Sequence, residues 1–179
     1  CVYDYLVKTN KSTGGKEYKR LEESLERLSG TRIKTDIRTG GERIKESFGI
    51  LDSWKIVEKA PNKSVMVAVE VTLSKWLYNA IQAFEVLTIY SAYFQLRKPL
   101  EKRLYEIARK HVGKQSGWKI GLELLREKCG SQAELREFRR MIKEIAKDNT
   151  LPNFFFTLDD RDNVTFLPKD KNRLLGLLS

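Results

Sequence analysis

The chain has 179 residues, 41% hydrophobic and 32% charged, a balance that suits one large or two small globular domains and excludes a disordered chain. Its formal net charge is +10, and the excess is uneven: residues 91–179 carry 19 basic against 12 acidic side chains, residues 1–90 only 15 against 12. That balance points to a polyanionic partner, while the lack of a signal peptide or of an apolar run near the roughly 18 residues of a membrane span points to a cytoplasmic protein with no membrane partner.

The chain opens on Cys1 rather than Met, which suggests a piece of something longer. Only VYDYLVK precedes the first strong helix signal, so the opening helix of the first unit is expected to lie before Cys1. That signal is TGGKEYKRLEESLERLSG, where Tyr18, Leu21, Leu25 and Leu28 share one helix face and Gly30 closes the run. Lys8, Lys11, Lys16, Lys19 and Arg20 crowd its Gly-Gly start, beside Ser12 and Thr13. Backbone N–H groups and the helix dipole favour an anion there, and glycine lets a phosphate come close. The spacing of a P-loop is absent. Two readings stand: DNA backbone contact through Lys11, Ser12, Thr13, Lys16, Lys19 and Arg20, or an ordinary surface turn.

The stretch TRIKTDIRTGGERIKESFGILDSWKIVEK reads as a hairpin that turns near Gly40-Gly41. Arg38, Arg43 and Lys45 offer a wing there, although the same residues would blunt an exposed edge strand in a protein that binds nothing. A strand, VMVAVEV, and a helix, LSKWLYNAIQA, complete the unit. Residues 84–92 lack a Gly/Ser/Pro-rich linker, so the two domains are expected to pack closely. The expected division is 1–88 and 89–172, with a tail, 173–179, that is either a loose end or a strip that docks on a partner.

The second unit is fuller. RKPLEKRLYEIARKHVG is a helix with Leu100, Leu104 and Ile107 on one face; WKI is a strand; LELLREKCG is a helix ended by Gly130; Ser131 caps a further helix to Asn149. NFFFTLDDRDNVTFLP is a hairpin turning in Asp159 to Asn163. Helix, strand, helix, helix, hairpin is the winged-helix form of a helix-turn-helix, with the Ser131 helix in the recognition position. The fold class is therefore α+β, with tandem winged-helix domains, since a helix followed by a hairpin occurs in both halves without a residue-level repeat.

On that recognition helix Leu135, Phe138, Ile142 and Ile145 form the apolar stripe, and Arg136, Arg140, Lys143 and Lys147 gather opposite. Glu134, Glu137 and Glu144 fall toward the flank, which argues against simple salt-bridge lacing. Gln132, Arg136, Arg139, Arg140 and Lys143 are candidates to read bases, because Arg can grip guanine and Gln adenine with two hydrogen bonds. Ser131 and Lys147 would touch the backbone. The bland alternative is a solvated basic face. At the wing tip three aspartates flank Arg161 and would repel phosphate, which leaves contacts by Arg161 and Asn163 open.

His111, the single histidine, reads as a core or helix-end residue, since no second His or Cys stands at ligand spacing. Neither metal nor cofactor is expected. Cys129 reads as a small buried thiol beside Leu122 and Leu125. Rolling-circle initiators and relaxases need a histidine cluster and a tyrosine nucleophile, and no other nucleophile motif is present, so no enzyme is expected. Trp54, Trp76 and Trp118 read as core rather than as base-stacking platforms.

TGGKEYKRLEESLERLSGT, IRTGG, FGILDSWKIV, MVAVEVTLSKWLY, VLTI, YFQLRKPLEKRLYEIARKHVGKQSGWKI and LREFRRMIKEIAKDNTLPNF together resemble the replication initiator protein A family of bacterial plasmids. The resemblance implies tandem winged-helix domains that bind repeats in a plasmid origin of double-stranded DNA, help open the duplex and recruit host replication proteins such as a helicase or host initiator. It also implies a first domain used for dimerisation and backbone contact, with dimers repressing and monomers initiating. By position it places base reading on Gln132, Arg136, Arg139, Arg140 and Lys143, and backbone contact on Ser12, Thr13, Lys16, Lys19 and Arg20. A winged-helix repressor of its own promoter, and a scaffold whose basic faces hold acidic proteins, are the alternatives.

Overall fold

A computed structural model describes residues 2–39, 42–58, 66–83 and 86–169. The turn read at Gly40-Gly41 and the 173–179 tail lie outside the described residues. The chain divides into two compact units, Cys1–Val86 and Leu87–Ser179.

The first unit starts with α1 (Val2–Lys8), formed by the stretch to which the sequence assigned no element, followed by α2 (Gly15–Gly30). Val2 and Leu6 of α1 are buried with Leu25 of α2, the inward residue of its apolar stripe. Strands β1 (Arg32–Thr39) and β2 (Glu42–Gly49) pair antiparallel in register from Arg32↔Gly49 to Thr39↔Glu42. Here the sequence expectation needs correction, because the run to Glu58 is not one hairpin. At Gly49 an added Cβ would sit 3.1 Å from the Leu51 carbonyl oxygen. The chain bends at this point, and β3 (Leu51–Glu58) pairs instead with β4 (Met66–Leu73). Ser74 then caps α3 (Lys75–Gln82), its Oγ accepting from the Leu77 amide at 3.3 Å.

Trp76 also departs from expectation. It is 45% exposed and stacks on Phe48 with ring centroids 4.3 Å apart, because this short helix covers Phe48 with one face and leaves the other to solvent. Trp54 is half-buried. An apolar groove lined by Val2, Tyr5, Leu21, Leu25, Leu28 and Val71 runs between α1, α2 and the β3–β4 pair.

The second unit runs from a 3₁₀ turn (Ser91–Gln95) through α4 (Pro99–Val112), β5 (Trp118–Gly121), α5 (Leu122–Cys129) and α6 (Leu135–Asp148) to β6 (Phe154–Leu158) and β7 (Asn163–Pro168). The sheet is antiparallel in the order β5-β7-β6. Pro99 opens α4, where a missing N–H costs nothing. The buried Glu101 carboxylate accepts from the Lys98 amide at 3.2 Å and from Thr150 Oγ1 at 2.9 Å, which satisfies a charge that would otherwise be stranded.

Leu104, Ile107, Ala108 and Val112 of α4 meet Leu122 and Leu125 of α5, Phe138, Ile142 and Ile145 of α6, and Phe154, Phe156, Val164 and Phe166 of the hairpin. Along β7 the buried residues are Val164, Phe166 and Pro168, the alternation of a strand with one face inward. Each large side chain removed from water contributes about 1.5–3 kcal/mol. That shared core is what fixes α6 against the hairpin. His111 sits near the end of α4, as the sequence predicts, stacked on Trp118 with centroids 4.3 Å apart and planes 9° from parallel. Cys129 is half-buried against the core, and burial pushes its thiol up to about 11.

Candidate nucleic-acid interface

The candidate interface starts at the link between α5 and α6. Gly130 takes a left-handed conformation, φ 66°, and ends α5 by donating its amide to the Glu127 carbonyl at 2.9 Å. The sequence places the next helix start at Ser131, but α6 begins at Leu135 with Glu134 before it. The Ser131 hydroxyl accepts from Ala133 N at 3.3 Å, closing a local turn, and Arg126 Nη1 holds the Ala133 carbonyl at 3.0 Å. These bonds keep residues 131–134 out of the helix. Gln132 is therefore an exposed turn residue ahead of α6, not part of its face, and Ser131 is half-buried.

On α6 itself Phe138 and Ile142 are wholly buried, which turns Arg136, Arg140, Lys143 and Lys147 outward, as the periodicity predicts. Two of the candidate arginines are engaged. Arg140 Nε and Nη2 lie 3.0 and 2.5 Å from the two Glu137 carboxylate oxygens, and its Nη1 pairs with Glu144. The lacing that the flanking glutamates argued against is present around this residue, because i−3 and i+4 positions both lie within reach of a long arginine. The Glu137 hydrogen bond raises the Arg140 pKa and in turn holds the Glu137 carboxyl below its usual range.

Arg139 points elsewhere. Its Nε donates to Asp162 Oδ1 at 2.7 Å and its Nη2 pairs with Asp162 Oδ2, a two-pronged grip between the helix and the wing turn. The Asp162 carboxyl is held below its usual range, first by Arg139 and then by the charge of Lys143. Asp162 has φ 57°, a left-handed conformation that Asp tolerates, and its carbonyl accepts from the Leu122 amide at 2.8 Å at the start of α5. One residue thereby ties the wing to both helices.

The wing tip is less repulsive than the sequence suggests. Asp159 Oδ1 accepts from the backbone amides of Arg161 at 3.0 Å and Asn163 at 2.8 Å, and Lys119 Nζ lies 3.2 Å from Oδ2. Led by the Asn163 amide, these bonds lower the Asp159 pKa to about 2. Asp159 is exposed but paired with Lys119, Asp162 is half-buried against Arg139, and Asp160 and Arg161 are exposed beside them. The Asn163 side chain is used internally, donating to Asp159 and to the Arg161 carbonyl.

In the first unit Lys11, Ser12, Thr13, Lys16 and Lys19 are exposed around the start of α2, and nothing stands within 4 Å of a Cβ built on Gly14 or Gly15. Arg20 donates to Glu17 at 2.5 Å. Lys45 is exposed on β2. The Arg38 and Arg43 backbones pair near the end of the β1–β2 ladder, while their side chains lie outside the described residues. Asp162 and Lys119 are the residues that sequence reasoning missed; the clustered Asp and Asn of DDRDN were the available signal of a side-chain-bonded turn. Among the described residues no helix is long and apolar enough to cross a membrane, and no group of three or more His, Cys, Asp or Glu is placed to hold a metal ion.

Comparison with known proteins agrees with this architecture. Residues 1–156 match the family described as replication initiator protein A. A putative replication protein of Wigglesworthia glossinidia brevipalpis is 39% identical over 153 residues, 85% of this chain and 56% of the relative, so the chain spans little more than half of that protein's length. Among solved structures, the crystal structure of RctB domains 2-3 is similar over 96% of this chain and 75% of its own, with a TM-score of 0.57 at 12% identity. A structure of selenomethionine derivatives of RctB domain 2 and domain 3 is similar over 94% of this chain and 73% of its own, with a TM-score of 0.62 at 12% identity. At such low identity these show the fold, an α+β chain of tandem winged-helix domains. With its family match running from the first residue through the start of the wing hairpin, the chain belongs to the replication initiator protein A family.

Proposed function

We propose that the chain is the DNA-binding portion of a plasmid replication initiator, which binds repeated sequences in the double-stranded origin, promotes opening of the neighbouring duplex and recruits host replication proteins. The observation that carries this reading is α6: a helix anchored by Phe138 and Ile142 in the core that presents Arg136, Arg140, Lys143 and Lys147 to solvent beside a wing. Arg136, Arg140 and Lys143 read bases from the major groove, Gln132 contacts a base or phosphate from the turn, and Lys147 and Arg161 add backbone contacts. Affinity comes mainly from phosphate neutralisation, and duplex opening from binding energy spent on deformed DNA rather than from a catalytic residue.

The first unit contributes backbone contacts through Lys11, Ser12, Thr13, Lys16, Lys19 and Arg20, with Lys45 on its hairpin. Its apolar groove beside α1 supports self-association through this unit. The test is selection of bound duplexes from a random library at near-physiological salt. Enrichment of one asymmetric site longer than a single groove contact is the expected result. A palindrome would favour a dimeric repressor, and the absence of any enriched motif would overturn sequence reading by α6.

A further inference from the structure

Arg139 differs from the other cations of α6 in reaching off its own helix: it spans to Asp162, 23 residues along the chain, with its Nε and Nη2 engaged by the two carboxylate oxygens. Asp162 is more than a countercharge. Its carbonyl accepts from Leu122 N at 2.8 Å, so the same residue joins the wing turn, the start of α5 and the body of α6. A carboxylate at a wing tip faces phosphate at a cost unless a cation cancels it, and a guanidinium whose Nε and Nη2 are gripped by a half-buried carboxylate on a tied-down turn has that fork occupied and its charge offset, whereas the glutamates beside Arg140 are exposed side chains of its own helix that can swing aside. Resting on the reading of α6 as the groove helix, we propose that Arg139 and Asp162 are a positioning pair. The pair fixes the wing against the recognition helix before DNA arrives, and it withholds Arg139 from the DNA backbone, which limits binding to wrong sequences.

Asp162→Asn tests this cleanly, because asparagine tolerates the left-handed backbone at that position and only the charge and the grip are lost. The freed arginine should gain one phosphate. The slope of log affinity against log salt then steepens by about 0.9, and binding to non-cognate duplex tightens roughly fivefold at near-physiological salt. Arg139→Gln combined with Asp162→Asn has the same net charge as the native chain and should keep the native slope. In both variants, without DNA, the amides of Leu122 and Asn163 should exchange with solvent faster than in the native protein, because the wing has lost its tether.

A structural ion pair with no part in recognition would speed amide exchange and leave the salt slope of Asp162→Asn unmoved, which overturns the withholding. A double variant that loses about 0.9 in slope would place native Arg139 on DNA and overturn the withholding equally. Unchanged exchange at Leu122 and Asn163 overturns the positioning role. A native chain that binds no duplex overturns the proposed function, and the withholding with it, while the exchange measurement still decides the tether.

Discussion

Arg140 gives the sharpest test of the groove assignment. On the exposed side of α6, Arg136, Arg140, Lys143 and Lys147 stand with Glu137 and Glu144, a charge of +2 for these six side chains. To grip guanine, the Arg140 fork must exchange two carboxylates for N7 and O6. If α6 lies in the groove, Arg140→Ala removes that contact and also leaves both carboxylates without their cation, halving the charge of this group to +1. Affinity for the selected cognate duplex should fall about fivefold to 150-fold, the range expected for a lost bidentate base contact, with a smaller loss on scrambled duplex. Arg140→Lys keeps the charge but cannot make the two-pronged grip, so it should lose nearly as much on cognate duplex and nothing on scrambled duplex. Fluorescence anisotropy of labelled duplexes, repeated across a salt series, separates the two contributions, since a phosphate contact moves the salt slope by about 0.9. Binding curves for Arg140→Ala that overlay the native curves on both duplexes refute the groove assignment. Equal losses on both duplexes would show a backbone contact and refute base reading.

Three further outcomes are expected. Gly117→Ala should cost about 1–3 kcal/mol in urea unfolding, because the new Cβ would lie 2.7 Å from Leu167 Cδ2 and 3.0 Å from the Phe166 carbonyl oxygen, which is backbone and gives way poorly. Phe138→Ala, at a wholly buried position on α6, should cost about 3–5 kcal/mol by the same measurement and weaken DNA binding as the helix loses its seat. Burial first, then the charges of Lys128 and Lys110, lowers the His111 pKa below its usual 6.5, so the folded state prefers the neutral ring. Its contribution is intact above pH 6.5 and is lost as pH falls through the lower folded value. Urea midpoints should drop between pH 7.5 and 5.5 in the native chain and stay flatter in His111→Phe; parallel declines would refute the assignment.

Much of the second unit was legible because its signals are local. The apolar spacing of α4, the Gly130 stop and the alternation of β7 each follow from residues within one element. The start of α6 was not, because Ser131 looks like a cap, whereas the bond from Arg126 to the Ala133 carbonyl shapes the turn from the preceding helix. The exchange of partners after Gly49 was hidden for a similar reason: one glycine inside a long β-rich run gives no sign of which strand pairs with which. In the interface, the basic stripe was readable from periodicity. The glutamates around Arg140 also stand in plain sequence at three and four residues, close enough for the lacing that the structure shows. The Asp162 partner of Arg139 was not legible, since its proximity exists only once the hairpin folds back on the helix.

The stack of rings in the second unit also makes a built-in optical probe. The chain has three tryptophans, and Trp118 is the one beyond Val86. Its indole lies face to face with His111 at 4.3 Å and stacks against Phe166 at 5.8 Å, and it opposes Phe166 across the β5–β7 ladder. With Trp54 and Trp76 replaced by phenylalanine, the emission of the chain comes from a single indole, whose colour and intensity respond to the charge on the imidazole above it and to the seating of the strand beneath. Because that strand runs directly out of the wing turn, the glow of one side chain reports, without any attached dye, whether the wing is docked.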